Sequence, residues 1–178
     1  MLNLHKHRFS TDYTELISKD VLEISPIQYK MLNFIADNKR AVITAPRQCG
    51  KSTFIVMASI LSNTNSHIIT YTMHNKLFMY KLYLSFLNDN NISYKINNIN
   101  KHIIINNKTI KFYSSVSFNA NNVDICDNIY IDEYSYIDLD SLNISIFNKV
   151  VCIGTAPLIS DKSYEYTKSG YFSGLNVR

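Results

Sequence analysis

Nine residues, Ala45-Pro46-Arg47-Gln48-Cys49-Gly50-Lys51-Ser52-Thr53, constrain this chain more than any others. They follow the phosphate-binding pattern of Gly, four residues, then Gly-Lys-Ser/Thr, except that Ala45 stands at the first glycine. Upstream, Ala41-Val42-Ile43-Thr44 reads as a short buried strand; downstream, Phe54 to Leu61 is uniformly apolar but for Ser59 and reads as a buried helix. Strand, turn and helix in that order make the string a candidate site. Consecutive backbone N–H groups at a helix start, with the positive end of its dipole, favour an anionic phosphate. Lys51 is then placed to reach the outer phosphates and the Ser52 hydroxyl to ligand Mg²⁺, with Pro46, Arg47, Gln48, Cys49, Gly50 and Thr53 completing the nucleotide-holding turn. The alternative is a Gly-Lys-Ser turn on an ordinary helix start, which the flanking strand and helix disfavour.

The chain has 178 residues, enough for one domain with a sizeable core and too few for two ordinary ones. Residues 1–24 read as an N-terminal segment and 25–178 as the domain. A formal net charge of +4 is compatible with nucleic acid without demanding it. Cys49, Cys126 and Cys152 are odd in number, far apart and without metal-ligand spacing, which predicts a reducing, intracellular setting. No apolar run approaches the roughly 20 residues of a membrane span, and the start, Met1 to Arg8, lacks the apolar stretch of a secretion signal. His5, Lys6, His7 and Arg8 read as a solvated basic tail.

Thr11 to Ile17 is predicted as a short helix with Thr11 or Asp12 as its cap. A stronger helix opens at Ser25-Pro26-Ile27-Gln28, with Pro26 at its first position and Ile27, Met31, Phe34 and Ile35 on its apolar face. Gln28 has two readings: partner of Ser25 in a capping box, or a side chain that pairs with the adenine edge of ATP. His67 to Thr72 is predicted as a strand. His74 to about Leu87 is predicted as an amphipathic helix with Leu77, Phe78, Leu82, Leu84 and Phe86 as its apolar residues. After an Asn-rich polar stretch, Ile103-Ile104-Ile105 and Thr109 to Tyr113 flank Asn106-Asn107-Lys108 and predict a hairpin.

Asp127 to Glu133 is the second landmark, a hydrophobic strand that ends in adjacent carboxylates. In nucleotide hydrolases such an Asp holds the Mg²⁺ shell and the Glu orients and polarises the attacking water. The pair is common by chance, but after a phosphate loop in the same small domain it points to Asp132 as a metal ligand and Glu133 as a catalytic residue. The third landmark is the strand Lys149 to Ile153 followed by Gly154-Thr155-Ala156-Pro157. It delivers the Thr155 hydroxyl to the strand's carboxyl end, where ligands sit in open α/β sheets; an ordinary turn residue is the other reading. Cys49, at a helix N-terminus, reads as a filler of the loop, because no partner base lies nearby. Ser160 to Arg178 shows no clear closing element.

Laid end to end, these landmarks resemble the ATPase domain of large terminase subunits, the DNA-packaging motors of tailed phages and herpesviruses. The resemblance runs from about Ser25 to Pro157, with a weaker echo to Gly174. It rests on Ile27-Gln28-Tyr29 before the first strand, the Arg-containing loop Pro46 to Ser52, the short-turned hairpin, Ile129-Tyr130-Ile131-Asp132-Glu133, and Gly154-Thr155-Ala156-Pro157 as a coupling motif. The Arg-Gln-x-Gly-Lys-Ser loop is its most specific part. The resemblance implies a three-layer α/β P-loop NTPase of the ASCE type, with a mostly parallel sheet and a β-hairpin insertion. It places the strand around Ile153 between the phosphate-loop strand and the Asp132 strand. By position it also implies Arg47 as an arginine finger supplied from its own loop, Glu133 and Lys51 as catalytic, and Thr155 as the link between hydrolysis and DNA movement. A solvent-facing Arg47 is the plainer alternative. ATP and Mg²⁺ are the implied cofactors. The implied partners are double-stranded DNA, a portal, a small terminase subunit and further copies in a ring on the capsid, inside the host cell and away from membranes. Lys101, Lys108 and Lys111 around the hairpin are candidate DNA contacts, against a reading as solvated edge lysines.

Two departures stand out. The family usually has an Arg-Gly pair before the Asp-Glu strand, where this chain has Asn119-Ala120-Asn121-Asn122. No clustered acidic residues of a terminase nuclease follow Pro157, so no nuclease activity is expected of this chain. The rival readings are the first lobe of a superfamily-two helicase, which needs a second lobe with arginine motifs, and a nucleotide-binding scaffold with decayed activity. Lys51, Ser52, Asp132 and Glu133, all present, argue against decay.

Overall fold

The computed structural model describes residues 24–155 and 172–177, so the expected helix at Thr11 to Ile17 and the coupling-motif residues Ala156 and Pro157 lie outside the described residues. Helix α1, Pro26–Asp37, starts where Ser25 caps it: the Gln28 N–H donates to Ser25 Oγ (3.2 Å) and the Ser25 N–H donates to Gln28 Oε1 (3.0 Å). Its buried face is Gln28, Met31, Leu32 and Ile35. Strand β1, Arg40–Thr44, leads into the loop and then into α2, Lys51–Ile60, whose residues from Phe54 onward are all buried. Strand β2, Ser66–Thr70, precedes α3, Met73–Asp89, which Thr72 caps by accepting the Asn75 N–H. The remaining strands are β3 (Lys95–Asn97), β4 (His102–Ile105), β5 (Lys108–Ser114), β6 (Asn128–Asp132), β7 (Lys149–Gly154) and β8 (Ser173–Asn176).

They form one sheet in the order β3-β4-β5-β2-β6-β7-β1-β8. Every pairing from β5 to β8 is parallel, and only the β3-β4-β5 end is antiparallel. The hairpin turns at Asn106 and Asn107, both with positive φ (46° and 62°), a conformation asparagine tolerates better than most residues. As expected, β7 lies between β1 and β6.

Period-two alternation divides the strands between two cores. Ala41, Ile43, Ile68, Tyr130, Val151 and Ile153 face the three helices. Val42, Ile69, Ile129, Ile131, Val150 and Cys152 face the opposite side, which is covered by 3₁₀ turns carrying Tyr134, Leu142 and Ile144 and by Phe147. Each buried Val, Leu, Ile or Phe among these contributes about 1.5–3 kcal/mol by leaving water. Neither α1 nor α2 has a basic residue in its last turn. Strand lysines serve instead: Lys149 Nζ donates to the Ile35 carbonyl (2.8 Å), and Lys108 Nζ donates to the Ile60 (3.4 Å) and Ser62 carbonyls.

Three features differ from expectation. In α3 the buried stripe is Met79, Tyr83 and Leu87, while Leu77 and Phe78 are about half exposed. Tyr80 and Tyr83 meet Phe112 edge-on at 5.4 and 5.5 Å, and that aromatic seat fixes which face of the helix turns inward. Strand β3 occupies the Asn-rich stretch before the hairpin, and β8 closes the far edge of the sheet beside β1.

Candidate functional site

The loop after β1 is held at both ends. The Ala45 N–H donates to the Gly154 carbonyl (3.0 Å), and the Phe54 N–H reaches back to the Gly50 carbonyl (2.8 Å). Between them Gln48 (φ 61°) and Gly50 (φ 81°) take left-handed conformations that swing the chain into α2. Gly50 is the N-cap and offers no side-chain cap, so the first N–H groups of α2 keep their capacity for an external acceptor. Lys51, only 7% exposed, donates to the Pro46 carbonyl (3.0 Å) and stands 3.7 Å from Glu133 Oε1.

Asp132 ends β6 on the face that looks toward α2. Burial first, and the neighbouring Glu133 second, push its carboxyl up to about 6, against the opposing pull of Lys51 and a hydrogen bond with Ser52. Its Oδ1 is buried without a hydrogen-bond partner. A buried, unsatisfied carboxylate oxygen beside a serine hydroxyl and a lysine is costly by itself and suits a hard cation. Among the described residues no three His, Cys, Asp or Glu side chains cluster as a metal cage. The Ser52 hydroxyl and the free Asp132 oxygen are the kind of donor set that suits Mg²⁺, an ion usually held by one or two protein oxygens together with substrate phosphates.

Glu133 sits just past the strand in a left-handed conformation (φ 52°, ψ 46°). Its carboxylate accepts the Thr155 N–H (3.3 Å) and hydroxyl (3.3 and 3.4 Å) from the end of β7. Lys51, Ser52, Asp132, Glu133 and Thr155 thus converge from α2, β6 and β7 on one point at the carboxyl edge of the sheet. A cleft of about 450 Å³ opens there, lined by Arg47, Gln48, Gly50, Lys51, Ser52, Thr53, Glu133 and Thr155. Phe78, Leu82 and Tyr136 complete its wall. The sequence reading missed these three as site residues. Their only signal is position, just beyond the carboxyl ends of β2 and β6. Tyr136 also meets Tyr71 at 5.7 Å on the exposed rim.

Other expected site residues are placed differently. Gln28 is buried and absent from the cleft wall; its amide is engaged by Ser25 at one end and, through Nε2, by the Gly50 carbonyl (3.4 Å) at the other. Cys49 packs against the helical core as a loop filler. Arg47 is exposed on the cleft rim. The three hairpin lysines do not share a surface. Lys108 is tied to the end of α2 on the helical face, Lys111 lies opposite His67 on the other face, and Lys101 is exposed in the turn before β4. Lys108 thus also caps the end of α2. Away from the cleft, His67 is fully buried and meets Asp127 Oδ2 (2.9 Å) and the Tyr113 hydroxyl (3.3 Å), a pair the sequence did not disclose.

No protein-family model and no curated protein matches the chain. Solved structures do. The fold is that of the large terminase ATPase domain of Thermus phage P74-26, in a point-mutant form, with a TM-score of 0.67 at 16% identity over 94% of this chain and 78% of that one. The bacteriophage HK97 large terminase matches with a TM-score of 0.67 at 14% identity, over 87% of this chain and 39% of that chain. The large terminase of a thermophilic bacteriophage, in complex with ADP, gives 0.57 at 15% identity, over 87% of this chain and 45% of that one. This chain therefore spans under half the length of the two large terminases. No helix among the described residues is long and apolar enough to cross a membrane.

Proposed function

We propose that this chain is the ATP-hydrolysing motor domain of a terminase large subunit, which couples hydrolysis to the movement of double-stranded DNA into a capsid. The observation that carries the reading is a cleft at the carboxyl edge of the sheet lined by Lys51, Ser52 and Glu133, with the buried Asp132 carboxylate beside Ser52 just behind it. The uncapped start of α2 receives the phosphates, and Lys51 exchanges the Pro46 carbonyl for the outer phosphate oxygens. Ser52 and Asp132 hold Mg²⁺, which when bound offsets charge on the phosphate oxygens. Glu133 orients a water toward the γ-phosphorus and takes its proton as the bond to the ADP oxygen breaks. Arg47, on the rim, swings onto the γ-phosphate as a finger from the same loop. Thr155, bonded to Glu133, transmits the change toward the DNA-moving parts. Lys101, Lys108 and Lys111 are the candidate DNA contacts. A portal, a small terminase subunit and further copies of the chain complete the machine, assembled in the host cell.

The test is steady-state hydrolysis beside equilibrium ATP binding. Lys51→Ala is expected to weaken binding or stop turnover. Glu133→Gln is expected to keep binding while turnover falls at least about 10²-fold, the lower range for a positioned general base. Near-normal turnover in Glu133→Gln would remove that residue from the chemistry.

A further inference from the structure

Two dipeptides from neighbouring strands close on each other beside the cleft. Glu133-Tyr134 leaves β6 and Gly154-Thr155 ends β7. One clasp between them is polar: Thr155 gives its N–H and its hydroxyl to the Glu133 carboxylate. The other is steric. The Tyr134 ring, 2% exposed, approaches Gly154 so closely that an added Cβ would lie 2.9 Å from its Cε1 and 3.0 Å from its Cδ1. That ring, carried by the 3₁₀ turn after β6, is packed into the core on that face of the sheet and has little room to step aside. The Gly154 carbonyl meanwhile accepts the N–H of Ala45, the first residue of the phosphate loop. Glu133 itself is left-handed (φ 52°), a conformation that a non-glycine residue keeps only when its surroundings hold it there.

We propose that the Tyr134 ring seated on Gly154 holds Glu133 in place, making Tyr134 a positioning residue for the carboxylate and Gly154 the joint between it and the phosphate loop. A residue with any Cβ at position 154 displaces the ring, and the ring carries Glu133 with it through one peptide bond. The kinetic consequence rests on Glu133 being the water-orienting carboxylate; the positional consequence does not.

The experiment compares Gly154→Ala and Tyr134→Leu, alone and together, in the full chain. Each single change lowers kcat by about 100-fold, the order expected for a misplacement near 1 Å, with little change in ATP affinity. Each also speeds hydrogen exchange at the Thr155 amide, the donor to Glu133, while the Ile153 amide within β7 keeps its parent protection. In the double variant the smaller side chain makes room for the added methyl, so both quantities return toward the parent, a non-additive outcome that independent sites do not give. Unchanged Thr155 exchange in both single variants overturns the proposal, as does strict additivity in the double. Equal loss of protection at Ile153 and Thr155 overturns it too, because that is general unfolding. A parent protein that does not hydrolyse ATP, with Thr155 exchange still responding as expected, refutes the motor reading and leaves the positioning intact.

Discussion

Asp132 is 9% exposed, and burial beside Glu133 raises its carboxyl from 3.8 to about 6. At about 1.4 kcal/mol per pH unit, the ionised group opposes folding by roughly 3 kcal/mol in the ligand-free protein. The sign follows from the two states. Above pH 6 both folded and unfolded chains carry the charge, so the folded state bears the whole burden. As pH falls through 6 the folded state takes up a proton that the unfolded state does not, and the burden shrinks; below 3.8 it is gone. Asp132→Asn removes the charge and keeps the shape, and Lys51 retains the Pro46 carbonyl and Glu133 as partners. The variant is therefore expected to be more stable than the parent at pH 7.5 by up to about 3 kcal/mol, with the difference vanishing toward pH 4. Urea unfolding of both proteins across that range measures it, since titrating groups remote from Asp132 cancel in the difference, leaving Asp132 and its coupling to Glu133 and Lys51. Adding Mg²⁺ and ATP should stabilise the parent more than the variant. A variant no more stable at pH 7.5, or a difference that fails to shrink on acidification, would refute the assignment of a buried, unsatisfied carboxylate.

Two further outcomes are expected. Arg47→Ala should leave ATP affinity nearly intact and lower turnover by about 10³-fold or more, and Arg47→Lys should recover little, because an ammonium cannot reproduce the planar fork; unchanged turnover returns the loop to an ordinary nucleotide-binding turn. Gln28→Ala should weaken ATP and tripolyphosphate alike and lower stability by about 1 kcal/mol, because its amide braces Ser25 and Gly50; a loss confined to ATP would assign it to the adenine edge instead.

The parts of this fold that sequence disclosed are those with local signals. The strand-loop-helix around Lys51, the apolar strands ending at Asp132 and Gly154, and the Asn-Asn hairpin each carry their pattern within a dozen residues. The edge strands do not. In β3 all three residues are exposed, and β8, Ser-Gly-Leu-Asn, has a single partly buried leucine, so neither offers the alternation that marks a strand. In α3 the apolar residues encircle the helix, and only the Phe112 ring, contributed by β5, selects the stripe through Tyr83. The site divides in the same way. Lys51, Ser52, Asp132 and Glu133 stand in recognisable strings, whereas the contact of Tyr134 with Gly154 and the bond from Gln28 to Gly50 join distant segments and leave no trace in either one. The bond from Lys108 to the end of α2 is likewise invisible locally, because a lysine beside a hairpin turn gives no sign of the helix end packed above it.

The place of β1 in the sheet has a consequence for how the molecule comes into being. Its two neighbours, β7 and β8, are both made late: Arg40 lies opposite Val150, and Ala41 opposite Ser173. The other parallel strands find partners sooner, β2 pairing with β5 and β6 from the middle of the chain. During synthesis, which delivers residues from the N-terminus, the strand that leads into the Pro46 to Gly50 loop therefore waits without a ladder while the far half of the sheet can already form one. Contacts of such long sequence separation are slow to form, because the intervening loop must be closed before they repay it. Only once β7 lies beside β1 does Thr155 stand in the same cleft as Lys51, so the cleft cannot be complete before that long-range pairing has formed.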